Sequence, residues 1–208
     1  MKPIAHFLFT ALMAFSAASS FAVGPAPAAA KPDLAKGEAS FATCSGCHAA
    51  DGNSAIPGNP KLSQQHPEYV VKQLQEYKSG KRANAIMQGI AATLTEDDMR
   101  NIAFWVTTKK IKPGFASDKT LAALGERIYR GGIAERGITA CAGCHSPTGA
   151  GIPAQNPRLG GQHAEYVAAQ LTYFRDGIRK NNLQMTQVAA RLNDREIKAL
   201  ADYVAGLR

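Results

Sequence analysis

The chain has 208 residues, 45% hydrophobic and 19% charged, with 24 basic against 16 acidic side chains and a formal net charge of +8. No basic run or aromatic-interleaved patch accompanies the excess, so it does not read as a nucleic-acid footprint. An acidic docking partner or an anionic membrane surface stays compatible with it. All 4 cysteines fall into two close pairs, which leaves none for a separate disulfide framework.

In chain order, residues 1–22 read as an export signal. Lys2 supplies the positive end, residues 4–15 are mostly apolar but interrupted by His6 and Thr10, and a small-residue stretch offers a cleavage site at Ser20-Phe21-Ala22, with Ser16-Ala17-Ala18 as second choice. The apolar run falls short of the about 20 residues that a membrane span needs. Residues 23–32 are Ala/Pro-rich and read as a flexible lead-in. The expected location is therefore the periplasm, where cysteine chemistry competes with disulfide formation.

Two stretches dominate the remainder of the chain: Cys44-Ser45-Gly46-Cys47-His48 and Cys141-Ala142-Gly143-Cys144-His145. Each is C-x-x-C-H, the attachment signature of a c-type haem. Cysteines three apart share one side of a helical turn, where both can form thioethers to one porphyrin. The adjoining His48 and His145 can then ligate the iron. A zinc site built from two C-x-x-C pairs normally places them nearer in sequence and leaves both histidines unexplained. A thioredoxin-like motif needs a βαβ context, which neither pair has.

The chain is also a tandem repeat. With His48 placed on His145, a shift of 97 residues, Asn59-Pro60-Lys61-Leu62 falls on Asn156-Pro157-Arg158-Leu159. Gln65-His66-Pro67-Glu68-Tyr69-Val70 falls on Gln162-His163-Ala164-Glu165-Tyr166-Val167, Gln73-Leu74 on Gln170-Leu171, and Gly80 on Gly177. One inserted residue later, Met87 matches Met185, Leu94 matches Leu192, and Trp105 matches Tyr203. The second repeat carries an insertion within 130–140, which reads as a surface loop. Domain 1 is expected over 33–109 and domain 2 over 118–208. A linker at 110–117 contains the break Pro113-Gly114.

Within each repeat the pattern is helical. Asp33 and Asp118 are N-caps for first helices over about 33–43 and 118–130. Val70, Leu74 and Tyr77, like Val167, Leu171 and Phe174, recur at helical spacing and stop at Gly80 and Gly177. Thr95-Glu96-Asp97-Asp98 and Asn193-Asp194-Arg195-Glu196 read as capping boxes for the last helices. No run alternates as a strand. The expected fold is all-α, two tandem helical domains, each wrapped around one covalently attached haem. A domain of about 85–95 residues has a marginal apolar core, so the porphyrin is expected to complete it and the apoprotein to be poorly folded.

For the second axial position, Met87 and Met185 lie 39 and 40 residues after their histidines, in segments that read as irregular and polar. Met99 has no counterpart and reads as core. His66 and His163 also match and would give bis-histidine ligation, but each directly precedes a helix, where a loop-end or capping role explains it. His/Met pairing raises the potential relative to a second imidazole and leaves no open iron site.

These repeats resemble class I cytochrome c domains, and their arrangement resembles the dihaem cytochrome c4 family. The resemblance rests on Gly37-Glu38 with Phe41, Gly125-Glu126 with Tyr129, the Asn-Pro-x-Leu and Gln-His-x-Glu-Tyr motifs, and Trp105 and Tyr203 on the last helices. It implies that first and last helices cross at Gly37 and Gly125, with Phe41 near Trp105 and Tyr129 near Tyr203. It implies that the Pro60 and Pro157 carbonyls accept from the proximal histidines. It also implies a polar interdomain surface that includes Gln65, Tyr69, Arg82, Gln162, Tyr166 and Arg179, with haem propionates nearby. The function implied is a monomeric periplasmic electron carrier, not an enzyme, binding two haem c groups. Its transient partners would be a quinol:cytochrome c reductase and a terminal oxidase, with peripheral membrane association compatible. The competing readings are a dihaem peroxidase or thiosulfate dehydrogenase, and an electron-entry module of a larger complex.

Overall fold

The computed structural model describes residues 31–208; the expected signal, 1–22, and most of the lead-in lie outside the described residues. The first repeat contains α1 (Leu34–His48), α2 (Pro67–Lys78), α3 (Ala85–Ala92) and α4 (Glu96–Thr107). The second contains α5 (Lys119–Gly131), α6 (Ala142–His145), α7 (Ala164–Arg175), α8 (Leu183–Ala189) and α9 (Asp194–Gly206). Among the described residues there is no strand, only the isolated bridges Ile133–Ile138 and Ile152–Asn156. None of their helices is long and apolar enough to cross a membrane.

Local chemistry starts these helices where the sequence marks them. Asp33 accepts from the amides of Ala35 and Lys36, and Asp118 from those of Thr120 and Leu121. Thr95/Asp98 and Asn193/Glu196 form complete capping boxes, so two otherwise orphaned N–H groups are satisfied at each start. Pro67 opens α2 at a position where a missing N–H costs nothing.

The first and last helix of each repeat form its frame. At Gly37, an added Cβ would lie 2.2 Å from the Asn101 carbonyl oxygen; at Gly125, it would lie 2.1 Å from that of Ala199. Only glycine lets α1 meet α4, and α5 meet α9, at this backbone distance. One turn on, the Phe41 and Trp105 ring centroids are 4.9 Å apart and those of Tyr129 and Tyr203 5.4 Å. The first core gathers Phe41, Leu74, Met99, Ile102 and Val106, with Cys44 and Met87 packed at its edge. The second gathers Ile128, Tyr129, Leu192, Ile197, Leu200 and Val204, with Cys141 at its edge. Each fully buried large side chain contributes about 1.5–3 kcal/mol.

Three elements differ from the sequence expectation. α1 continues past residue 43 to His48, so it carries the whole C-x-x-C-H stretch, whereas the insertion ends α5 at Gly131 and leaves α6 as a separate single turn. The insertion is the surface loop expected, mostly exposed but tied down at its ends. Ile133 and Ile138 bridge its ends, Ile138 is buried in the core, and the Arg136 guanidinium pairs with Glu196. The methionine segments, expected to be irregular, are the short helices α3 and α8. Their brevity hides the 3.6-residue pattern.

The residue after each histidine is strained. Ala49 has φ 60, ψ 158 and Ser146 φ 65, ψ 157, a region that is essentially glycine's and costs about 1–3 kcal/mol for other residues. Ala49→Gly is therefore expected to raise the stability of the protein by about 1 kcal/mol, read from a denaturant midpoint. Ser146→Gly should gain less, because the Ser146 hydroxyl accepts from the Ala150 amide at 2.8 Å. An unchanged or lower midpoint for Ala49→Gly would show that the conformation is not strained.

Candidate haem sites and the surface between them

Each C-x-x-C-H histidine is 6% exposed. The His48 Nδ1 lies 2.9 Å from the Pro60 carbonyl oxygen, and His145 Nδ1 2.9 Å from that of Pro157. Burial lowers both imidazole pKa values, and the carbonyl bond only partly opposes it. Both rings are thus neutral, with the proton on Nδ1 and the Nε2 lone pair free for a metal. The loop between histidine and proline is held from the same helix end: the Cys47 carbonyl accepts from Ser54 Oγ at 2.9 Å and Asn59 Nδ2 at 3.2 Å. Cys44 and Cys141 are half-buried, Cys47 and Cys144 exposed, and none of the four is paired in a disulfide.

Met87 and Met185 occupy the third position of α3 and α8. The N-cap side chains of Asn84 and Asn182 accept from their amides at 2.9 Å each, so both methionines are held by the same local device. Met99 is fully buried in the first core, as its helical position required. His66 and His163 precede their helices but cap nothing with their side chains. Their rings reach the other repeat instead: His66 Nε2 donates to the Ala150 carbonyl at 2.9 Å and His163 Nε2 to that of Ser54 at 2.7 Å.

The surface between the repeats is built from matched exchanges, and residues 32–208 form one compact unit. The Gln65 amide accepts from the Arg158 N–H at 2.8 Å and donates to its carbonyl at 3.0 Å. Gln162 does the same with Lys61, at 2.9 and 3.0 Å. Arg82 donates to Gln73, Tyr166 and Gln170 at 2.7–2.9 Å. Arg179 donates to Tyr69, Gln73, Gln170 and Asn181 at 2.9–3.1 Å. Burial acts to raise the Tyr69 pKa, but the Arg179 and Arg82 charges outweigh it and lower it. All six interface residues expected from the resemblance are therefore engaged. Gln73, Gln170, Asn181 and Glu76 were missed as interface groups, although the Gln73/Gln170 match was a usable signal.

These residues fit a haem in each repeat. Thiols and a tautomer-fixed imidazole stand together in each, as thioether and axial chemistry require. The interface also favours anions such as propionates. Arg82 and Arg179 are only 4% and 7% exposed and hydrogen-bond only to neutral groups, and the buried Arg158 Nε has no partner among the described residues. A buried cation left this way is costly unless an anion completes it.

The family model for cytochrome c matches this chain twice, over residues 34–110 and 122–208. The chain is 45% identical over 179 residues to cytochrome c4 of Pseudomonas aeruginosa, covering 84% of this chain and 89% of the relative. It is 38% identical to the thiosulfate dehydrogenase electron acceptor of Stutzerimonas stutzeri, covering 79% and 78%. The crystal structure of reduced recombinant cytochrome c4 from Pseudomonas stutzeri superposes with a TM-score of 0.81 at 41% identity, covering 85% of this chain and all of that one. This chain belongs to the cytochrome c4 family of dihaem electron-transfer proteins, with two tandem cytochrome c domains and two covalently bound haem c groups.

Proposed function

We propose that the protein is an exported shuttle that takes single electrons from a quinol-oxidising respiratory complex and delivers them to a terminal oxidase, without catalysing a reaction of its own. Cys44 and Cys47, and Cys141 and Cys144, hold the two haems. His48 with Met87, and His145 with Met185, are the axial pairs, in domains over 33–109 and 118–208. The observation that carries this reading is the equivalence of the two sites: the same histidine–carbonyl distance of 2.9 Å and the same asparagine-capped methionine helix recur in both. A dihaem peroxidase or dehydrogenase needs one site to differ, with a displaceable or absent ligand.

Bound haem supplies a one-electron couple; the chain's own groups set its surroundings. The Pro60 and Pro157 carbonyls fix the imidazole protons on Nδ1. The glutamine exchanges and the two arginines hold both domains in one arrangement, so passing an electron requires little reorganisation. The net positive chain favours encounter with acidic partner surfaces.

The relative named as an acceptor for thiosulfate dehydrogenase supports a second donor for the same shuttle. Stopped-flow mixing of the reduced protein with oxidase-containing membranes tests the reading. Both haems should oxidise in a second-order reaction that slows as salt is raised. Sustained turnover of peroxide or thiosulfate by the protein alone would contradict it.

A further inference from the structure

The Gln-His pairs just before α2 and α7 reach further than the interface itself, because of where their bonds land. The Pro60–Lys61 peptide unit is bonded on both sides. Its carbonyl oxygen accepts from His48 Nδ1 at 2.9 Å, and its N–H donates to Gln162 Oε1 at 2.9 Å. The Pro157–Arg158 unit repeats the arrangement: the carbonyl accepts from His145 Nδ1 at 2.9 Å and the N–H donates to Gln65 Oε1 at 2.8 Å. Each of these ring protons is therefore one planar peptide away from a glutamine of the other repeat. Gln65 and Gln162 are buried, and their amide nitrogens donate to the next carbonyls, of Arg158 and Lys61, at 3.0 Å each. The neighbouring histidines hold the same two loops at their other ends, His66 at the Ala150 carbonyl and His163 at that of Ser54. There the loops close back on the C-x-x-C-H stretches. The Gly151 N–H donates to the His145 carbonyl at 2.9 Å, and Ser54 Oγ to that of Cys47 at 2.9 Å.

We propose that Gln162 is a positioning residue for the first haem and Gln65 for the second: each sets, from the opposite domain, the hydrogen bond that orients the other domain's axial histidine. A peptide whose N–H donates is a stronger acceptor at its own carbonyl, because hydrogen bonds in a chain polarise one another. Where water is excluded, that polarisation is not screened away. A carbonyl held on both sides also keeps His48 and His145 in one tautomer and one ring orientation, which fixes the basicity of the nitrogen that faces the iron. Docking of the two domains is thus part of completing each haem site, and the dependence runs both ways. The inference rests on the reading of His48 and His145 as iron ligands, and not on which complexes the protein serves.

The test is proton NMR of the reduced holoprotein, following the Nδ1–H resonances of His48 and His145. Gln162→Leu keeps most of the volume and removes the acceptor. It should move the His48 Nδ1–H signal and speed its exchange with water by about 3–10-fold, as the loss of one hydrogen bond predicts, while the His145 signal stays in place. Gln65→Leu should give the reverse pattern. Gln162→Glu retains an acceptor oxygen and should keep the His48 proton protected. Gln162→Asn is polar but one methylene too short to reach. It should behave as Gln162→Leu does and keeps the proposal testable if the leucine variant folds poorly. In the ferric protein, hyperfine-shifted ring protons of His48 and His145 report ligation separately; if they are not shifted, the axial reading fails and the proposal with it. With those protons shifted, a change confined to the histidine of the mutated domain, equal changes at both histidines, or no change would overturn the proposal alone.

Discussion

Met87→Ala and Met185→Ala should each abolish half of the near-infrared Fe–S absorption of the ferric protein, lower the potential of one haem only, and admit cyanide rapidly at that haem. A thioether ligand raises the potential relative to nitrogen ligands, and a filled sixth position keeps external ligands out. The two methionines are held identically, by Asn84 and Asn182 side chains 2.9 Å from their amides, so the two variants should mirror each other. Loss of either cap by Asn→Ala should cost about 1 kcal/mol and weaken the band without removing it. Met99→Leu, in the first core, is the control. It should leave the spectrum intact and cost less than about 1.5 kcal/mol. A Met87→Ala protein with the full band would remove Met87 from the iron.

Gly125→Ala should destabilise the second domain strongly. The new Cβ would meet the Ala199 carbonyl oxygen at 2.1 Å and the Tyr203 Cβ at 2.7 Å. Both belong to the opposing helix, so the clash cannot be relieved by turning a flexible side chain. Overpacking usually costs about 1–3 kcal/mol, and a backbone-on-backbone clash belongs at or above the top of that range. About 3 kcal/mol corresponds to roughly 10–20 °C in the unfolding temperature of a domain of this size. Gly37→Ala should do the same to the first domain, where the Asn101 carbonyl oxygen lies at 2.2 Å. Gly89→Ala in α3 meets nothing within 4 Å and should gain up to about 1 kcal/mol from helix propensity. Calorimetry of the three variants measures this directly; an unshifted Gly125→Ala transition would mean that α5 and α9 do not meet where described.

The helix frame was readable because its signals are local. Asp33, Asp118, Thr95 and Asn193 announce helix starts through their own side-chain bonds, and the C-x-x-C-H pairs announce haem chemistry through spacing alone. The methionine helices were misread because they are short and owe their starts to single asparagine caps. The role of His66 and His163 was half legible. Their place before a helix was evident, but the ring bonds to Ala150 and Ser54 span 84 and 109 residues, and one copy of the repeat contains no record of the other.

The most direct test of the account is the near-infrared Fe–S band of the fully oxidised wild-type protein, quantified per haem. Two methionine-ligated irons predict twice the intensity of a single-haem cytochrome c of the same ligation, unchanged for minutes after peroxide is added. A band of single-haem intensity, or none, would contradict it.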